Sequence, residues 1–398
     1  TIPVEHPEWI CRDQNGNPMS SYKAASPGLQ AVRDYTVNVA MEIVRNYDID
    51  GLHLDYVRWN EYDTDDMLRP ASEKEQETKL DGIFLDNTIN KLTSPESTNR
   101  FLYDVEHPYS AGVPAGFSTW EDWWRWSVTE FVKALHDSIQ TVKPWVRLSP
   151  AALGKYMSGG ASGWNGYYVV YQDAALWFNQ GYVEQLTPMH YHWLTGDEMF
   201  NALTADWEPN IQQGIQAGRL YSCGPASYRL DENNVWSNHV GIVNRMRDKT
   251  WVDGFQFFSY GSWKGYDNWD EAGSTFFGKK VKVRDINLVS QPDSPSISLN
   301  QIDSLNYEIV VTPPAGSIDN HWFAIYRSED DVFNVDDDMI VDIRFGNSQF
   351  SFVDSYSGLQ NYNGTYKYYV TALNRYWNES EISNQATTDT IPSFAPTV

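Results

Sequence analysis

The chain has 398 residues, with 29 Lys and Arg against 53 Asp and Glu and a formal net charge of −24. That balance argues against nucleic acid and anionic membranes as partners, since both demand basic patches. Its 17 Trp, 25 Tyr and 17 Phe, many set among Gly, Asn and Asp, suit stacking on the apolar faces of sugar rings as well as core filling.

Residues 29–47 predict a helix. Val32, Tyr35, Val39, Ile43 and Tyr47 recur at three- and four-residue steps, with Arg33, Asn38 and Glu42 between them and Pro27-Gly28 ahead. The run Gly51–Trp59 that follows is β-prone and alternating. Within it His53 and Asp55 share one face, and Leu52 and Leu54 share the other. In a barrel the leucines would meet the helices, while His53 and Asp55 would face the interior or the mouth. Residues 60–118 show no sustained period, and a loop of that length inside a compact domain is usually functional. Helical periodicity returns with Trp124, Val128, Phe131, Leu135, Ile139 and Val142. Ser118 or Thr119 is the expected N-cap, with Glu121 and Asp122 complementing the dipole and Lys143-Pro144 ending the helix.

The alternation then continues. A strand at 145–150, a Gly-rich loop at 158–166 and a helix near 172–180 lead to a strand from Val183 to Tyr191. A helix near 197–216, a strand Arg219–Gly224, a helix at 233–248 and an apolar strand Asp253–Tyr260 complete it. Strand and helix in this rhythm predict βα units around a parallel sheet. Five strands are readable, near 51, 146, 184, 220 and 255, where a closed (β/α)8 TIM-type barrel has eight. The fold class expected is α/β, over residues 1–285. After a linker at Ser290–Pro295 the texture changes. Short β runs at Tyr307–Thr312, Trp322–Arg327, Met339–Ile343, Ser351–Asp354 and Tyr366–Asn374 predict an all-β sandwich over 291–398.

Several pieces, in order, resemble one family. They are His6-Pro7-Glu8-Trp9-Ile10 with Asn15-Gly16-Asn17-Pro18, then Tyr47 through Arg58, then Leu148-Ser149-Pro150, then Gly181-Tyr182-Val183-Glu184 leading to Thr187-Pro188-Met189-His190-Tyr191. Together they resemble the bacterial glycosyl-hydrolase-like family ten, a group of TIM-barrel proteins, over roughly residues 5–265. The C-terminal stretch Tyr366–Asn374 with Glu379–Asn384 resembles a fibronectin type III module, which usually acts as a spacer. The resemblance implies about three barrel strands ahead of His6, so the five read here would be strands four to eight. Either the chain is a fragment, or a further segment or partner chain completes the barrel, or the fold is an open variant. The Thr1 start reads as processed or truncated.

Glycosidic hydrolysis usually takes two carboxyl groups. Asp55, at the far end of a strand where βα loops form the mouth of a barrel, is the first, and the resemblance agrees. The second expected is Asp173, in a segment that resembles a family motif, although a helix N-cap explains it equally. Glu61 and Asp63 follow on the Asp55 loop. Arg58 either binds ligand or holds Asp55 ionised, and His53 reads as a core histidine. Tyr191 and His192 are expected to contact sugar at the end of their strand, Gln256 to hydrogen-bond it, and Tyr260, Trp263 and Trp269 to form a stacking platform above. Asp63, Asp65 and Asp66 fit no EF-hand loop and read as a solvated acidic turn. Neither a metal nor another cofactor is expected.

Cys11 and Cys223 make no metal-type spacing, and would pair in an oxidising compartment or remain thiols. No run reaches the ~18 apolar residues of a membrane span, and no signal-peptide pattern is read. The expectation is an exported bacterial protein, secreted, periplasmic or at the cell surface, that hydrolyses a polysaccharide by carboxylate chemistry. The alternatives are a non-catalytic carbohydrate-binding or scaffold protein, or one subunit of a larger cell-surface assembly.

Overall fold

The computed structural model describes residues 2–65, 100–284, 290–315, 321–330, 332–335, 338–356 and 364–391. Two compact units divide the chain, Thr1–Asp267 and Asn268–Val398.

The first unit is built on a five-stranded sheet, β1 (Gly51–Leu54), β2 (Arg147–Leu153), β3 (Gln185–His190), β4 (Leu220–Pro225) and β5 (Gly254–Phe255), in that spatial order. Every pairing is parallel, as the βα rhythm predicts. The helix Trp120–Val142 crosses between β1 and β2, and its start follows the local chemistry. Thr119 caps it by accepting the amide of Asp122 at 3.2 Å, and Glu121 and Asp122 occupy the first turn. It buries Trp123, Trp124, Val128, Val132, Leu135 and Ile139 in the main core. Burying aliphatic side chains of this size contributes about 1.5–3 kcal/mol each.

Four elements depart from the sequence reading. The strand expected over Gly51–Trp59 stops at Leu54, because Tyr56 turns into the left-handed region at φ 52° and the amide of Trp59 donates to the Val170 carbonyl instead. The helix expected near 197–216 is broken into Gly196–Ala202, a π turn Leu203–Trp207, a 3-10 turn Glu208–Asn210 and a helix Gln212–Gln216. Pro209 lacks the amide an unbroken helix needs there. The helix expected at 233–248 is Asn238–Arg247, preceded by a separate helix Ser227–Glu232. The last strand shrinks to Gly254–Phe255.

The helix Gln30–Asn46 sits where its periodicity puts it, yet it buries Val32, Arg33, Ala40, Met41 and Val44. Of the stripe that announced it only Val32 is buried, while Tyr35, Val39, Ile43 and the C-capping Tyr47 lie exposed. The strand that follows it, β1, forms one edge of the sheet.

The second unit is a β-sandwich of seven antiparallel strands among the described residues. One sheet runs β10 (Phe350–Ser355), β7 (Asn306–Thr312), β6 (Ser296–Asp303). The other runs β12 (Ala386–Thr387), β11 (Lys367–Leu373), β8 (His321–Ser328), β9 (Met339–Gly346). Ile309, Val311, Phe323, Ile325, Val370 and Ala372 fill the space between them. The stretch expected as a free linker is instead attached to the sandwich, with Asn374 donating to the Ser290 carbonyl at 3.2 Å and Ser294 to that of Glu381 at 3.0 Å. Residues upstream join the same unit. Lys280 donates to the Val341 carbonyl and Lys282 pairs with Glu379.

Candidate functional site

Parallel pairing puts the C-terminal ends of β1 to β5 on one rim, and the expected residues gather there unevenly. Asp55 leaves β1 directly and is exposed, with one carboxylate oxygen accepting the amide of Tyr56 at 2.8 Å. One step earlier on the same face, His53 is exposed and not the core histidine expected, because the face it shares with Asp55 is uncovered. It hydrogen-bonds Ser149 of the adjacent β2 at 2.8 Å, the two being register partners. Burial lowers the pKa of that imidazole and the Asp55 charge partly offsets it. Leu52 and Leu54 turn to the opposite side and pack against the core.

Tyr191, just beyond β3, stacks on Phe258 at 5.6 Å and meets Tyr228 edge-on at 5.9 Å. Burial raises its phenol pKa first, then Tyr228, with Asp55 adding to the same direction. Asp55 and Tyr191 therefore share one electrostatic environment. His192 is half-buried and stands edge-on to Trp193. Its neighbour His190 is wholly buried. The Gly224 amide donates to its Nδ1 at 3.2 Å, so Nε2 carries the proton toward the Tyr221 hydroxyl at 3.1 Å. Burial pushes its pKa down to about 3, which keeps it a neutral structural group. Gln256 is exposed beyond β5, its amide donating to the Cys223 carbonyl at 2.8 Å, and Tyr260 is 70% exposed.

Other expected residues are engaged elsewhere. Arg58 neither faces ligand freely nor pairs with Asp55. It grips Glu61 through two bonds of 3.1 and 3.3 Å, with only 7% of its side chain exposed. Trp263, expected on a stacking platform, is buried and donates its indole N–H to Ser227 at 2.8 Å. Trp269 falls in the second unit. Asp63 bridges Arg100 through the backbone, and Asp66 lies outside the described residues.

Asp173 caps the helix Ala174–Gln180, accepting the Leu176 amide at 3.2 Å, and the Tyr156 hydroxyl donates to the same oxygen at 2.7 Å. Burial raises its pKa against the opposing pull of those bonds. Tyr156 is held in turn by Asp206, whose carboxylate accepts the amides of Tyr156 and Met157 at 2.8 and 2.9 Å. Tyr156, Tyr228 and Phe258 were thus the site residues hardest to pick out. Only Phe258 carried a signal, sharing a face with Gln256. Among the described residues no cluster of three His, Cys, Asp or Glu could hold a metal, and Cys11 and Cys223 are separate buried thiols.

An α/β barrel-like parallel sheet with Asp55 and aromatic side chains beyond the ends of its strands, followed by a β-sandwich, defines the class of molecule. The chain belongs to the glycosyl hydrolase-like 10 family, whose model matches residues 2–236. Glycosyl hydrolase YngK of Bacillus subtilis (strain 168) is 24% identical over 409 residues, covering 96% of this chain and 69% of that one. The solved third fibronectin III domain of the human KIAA0343 protein matches 27% of this chain and 90% of its own length, at 14% identity and a TM-score of 0.17. That last likeness carries no argument. The function that the family supports is glycosidase-like.

Proposed function

We propose that the chain hydrolyses an O-glycosidic bond of a polysaccharide, with Asp55 as the nucleophile or base and Asp173 as the proton donor. The observation that carries this reading is Asp55 itself, an exposed carboxylate at the C-terminal end of a parallel strand, in electrostatic reach of Tyr191. Asp173 suits the donor because burial favours its protonated form, which is the property a general acid needs. Tyr191, Tyr260 and Gln256 supply the sugar contacts in this proposal, and His192 flanks them. The acidic surface favours an uncharged or cationic glycan and an exported protein. Among the described residues no helix is long and apolar enough to cross a membrane.

The test is Asp55→Asn on a panel of polysaccharides. Loss of an acid–base group costs roughly 10²–10⁴-fold in rate, so activity within about threefold of the parent would remove Asp55 from the chemistry. One observation favours a second reading, a glycan binder without hydrolysis. The hydrogen bonds of Asp173 go to a tyrosine and its own helix. Tight glycan binding with no product from any polysaccharide would establish that reading instead. The exposed stripe Tyr35, Val39 and Ile43 and the β1 edge of the sheet we assign to a further segment or partner chain that continues the barrel.

A further inference from the structure

Beside Asp55 the chain mounts two tyrosines that the chemistry above leaves unused. Tyr56 follows Asp55 directly at φ 52°, and Tyr22 holds φ 58°. Both lie in the left-handed region, which disfavours any residue bearing a Cβ. The two residues are 53% and 56% exposed, with ring centroids 6.4 Å apart and planes at 47°.

Each ring also has a neighbour that fixes it. The Arg58 guanidinium lies 4.6 Å from the centroid of Tyr56 and is itself anchored to Glu61. Tyr62 lies 4.9 Å from Tyr22 at 51°. Residues recruited only to fill a core would be buried, and a glycine would satisfy the backbone at lower cost. A strained backbone at Tyr56, next to the Asp55 carboxylate, is an arrangement found at ligand sites.

We propose that Tyr22 and Tyr56 form a stacking platform for a pyranose unit of an uncharged glycan, adjoining the unit that Asp55 addresses. The proposal rests on the glycan reading above. Stacking needs a sugar face lined with C–H bonds, which pyranoses with equatorial substituents present and which an aromatic face complements. Arg58 neutralises Glu61, so the exposed Asp55 carboxylate is the charge that disfavours a uronic acid, because like charges repel.

The experiment measures calorimetric binding of cellohexaose, chitohexaose and hexagalacturonate to the Asp55→Asn protein. The same ligands are then titrated into that background carrying Tyr22→Gly, Tyr56→Gly, Tyr22→Phe or Tyr56→Phe. Each glycine variant is expected to weaken binding of a neutral hexasaccharide about 2- to 10-fold, while the phenylalanine variants stay within about twofold. Melting temperatures of the glycine variants should equal or exceed that of the background, since glycine is at ease at positive φ. Glycine variants that bind as the background does would overturn the platform. So would failure of both neutral sugars to bind, or equal affinity for hexagalacturonate. Hydrolysis by Asp55→Asn, assayed separately, tests the catalytic reading alone, and retained activity there leaves a positive binding result standing.

Discussion

At the scale of single residues the two carboxyl groups differ in what surrounds them. Asp55 has solvent on one side and a lone backbone donor on the other, whereas Asp173 sits between a tyrosine and a helix N-terminus. Asparagine caps a helix about as well as aspartate and still accepts from Tyr156. Asp173→Asn should therefore fold normally and lose roughly 10²-fold or more in hydrolysis. Activity within threefold of the parent would leave Asp173 a cap only. The pH dependence has a definite sign. Burial raises the folded pKa of Asp173, so the folded state holds this proton more tightly than the unfolded one. The associated stability is present below the unfolded pKa and is lost as pH rises through the folded value. Denaturant melts across pH should show Asp173→Asn gaining on the parent over that window, and the parent's hydrolysis should fall as pH rises through the same value.

At the scale of elements the helix Gln30–Asn46 is the informative one. Its sequence announces it through a stripe of which the packed unit leaves all but Val32 outside, while Ala40, Met41 and Val44 make the core contacts. Exposed apolar stripes promote association and contribute little to the stability of the chain that bears them. Val39→Lys with Ile43→Lys should change unfolding free energy by no more than ~0.5 kcal/mol per site in denaturant melts. A loss above about 2 kcal/mol would show that the stripe packs within this chain.

At the scale of the whole molecule the boundary between the units matters. The composition change near residue 290 marks where the β texture begins, yet the helix Trp269–Ser274 and the lysines after it belong with the sandwich. Ala272 and Phe276 are buried there, and Lys280 and Lys282 reach Val341 and Glu379. A fragment of residues 268–398 should accordingly melt above one of residues 291–398, by several degrees for the roughly 2 kcal/mol that burying these groups contributes. Equal melting temperatures would place the boundary at 290 after all.

Much of the fold was legible because it rests on local regularities. Period 3.6 in residues 120–142, a capping threonine ahead of them, and apolar runs spaced by helices are properties of short windows, and they implied the parallel sheet. Asp55 could be placed at a strand end for the same reason. Strands β6 and β12 escaped notice because a polar edge strand and a two-residue strand carry almost no pattern.

What the sequence by itself determined, then, was the set of βα units, the sandwich after them, and the one carboxylate that leaves β1 at the rim. Only the tertiary structure decided that Arg58 takes Glu61, that Trp263 turns inward to Ser227, and that Tyr191 meets Tyr228 and Phe258. Partner choice depends on which groups distant segments bring within a few ångströms, and on which of them lose water there. Periodicity along the chain encodes neither.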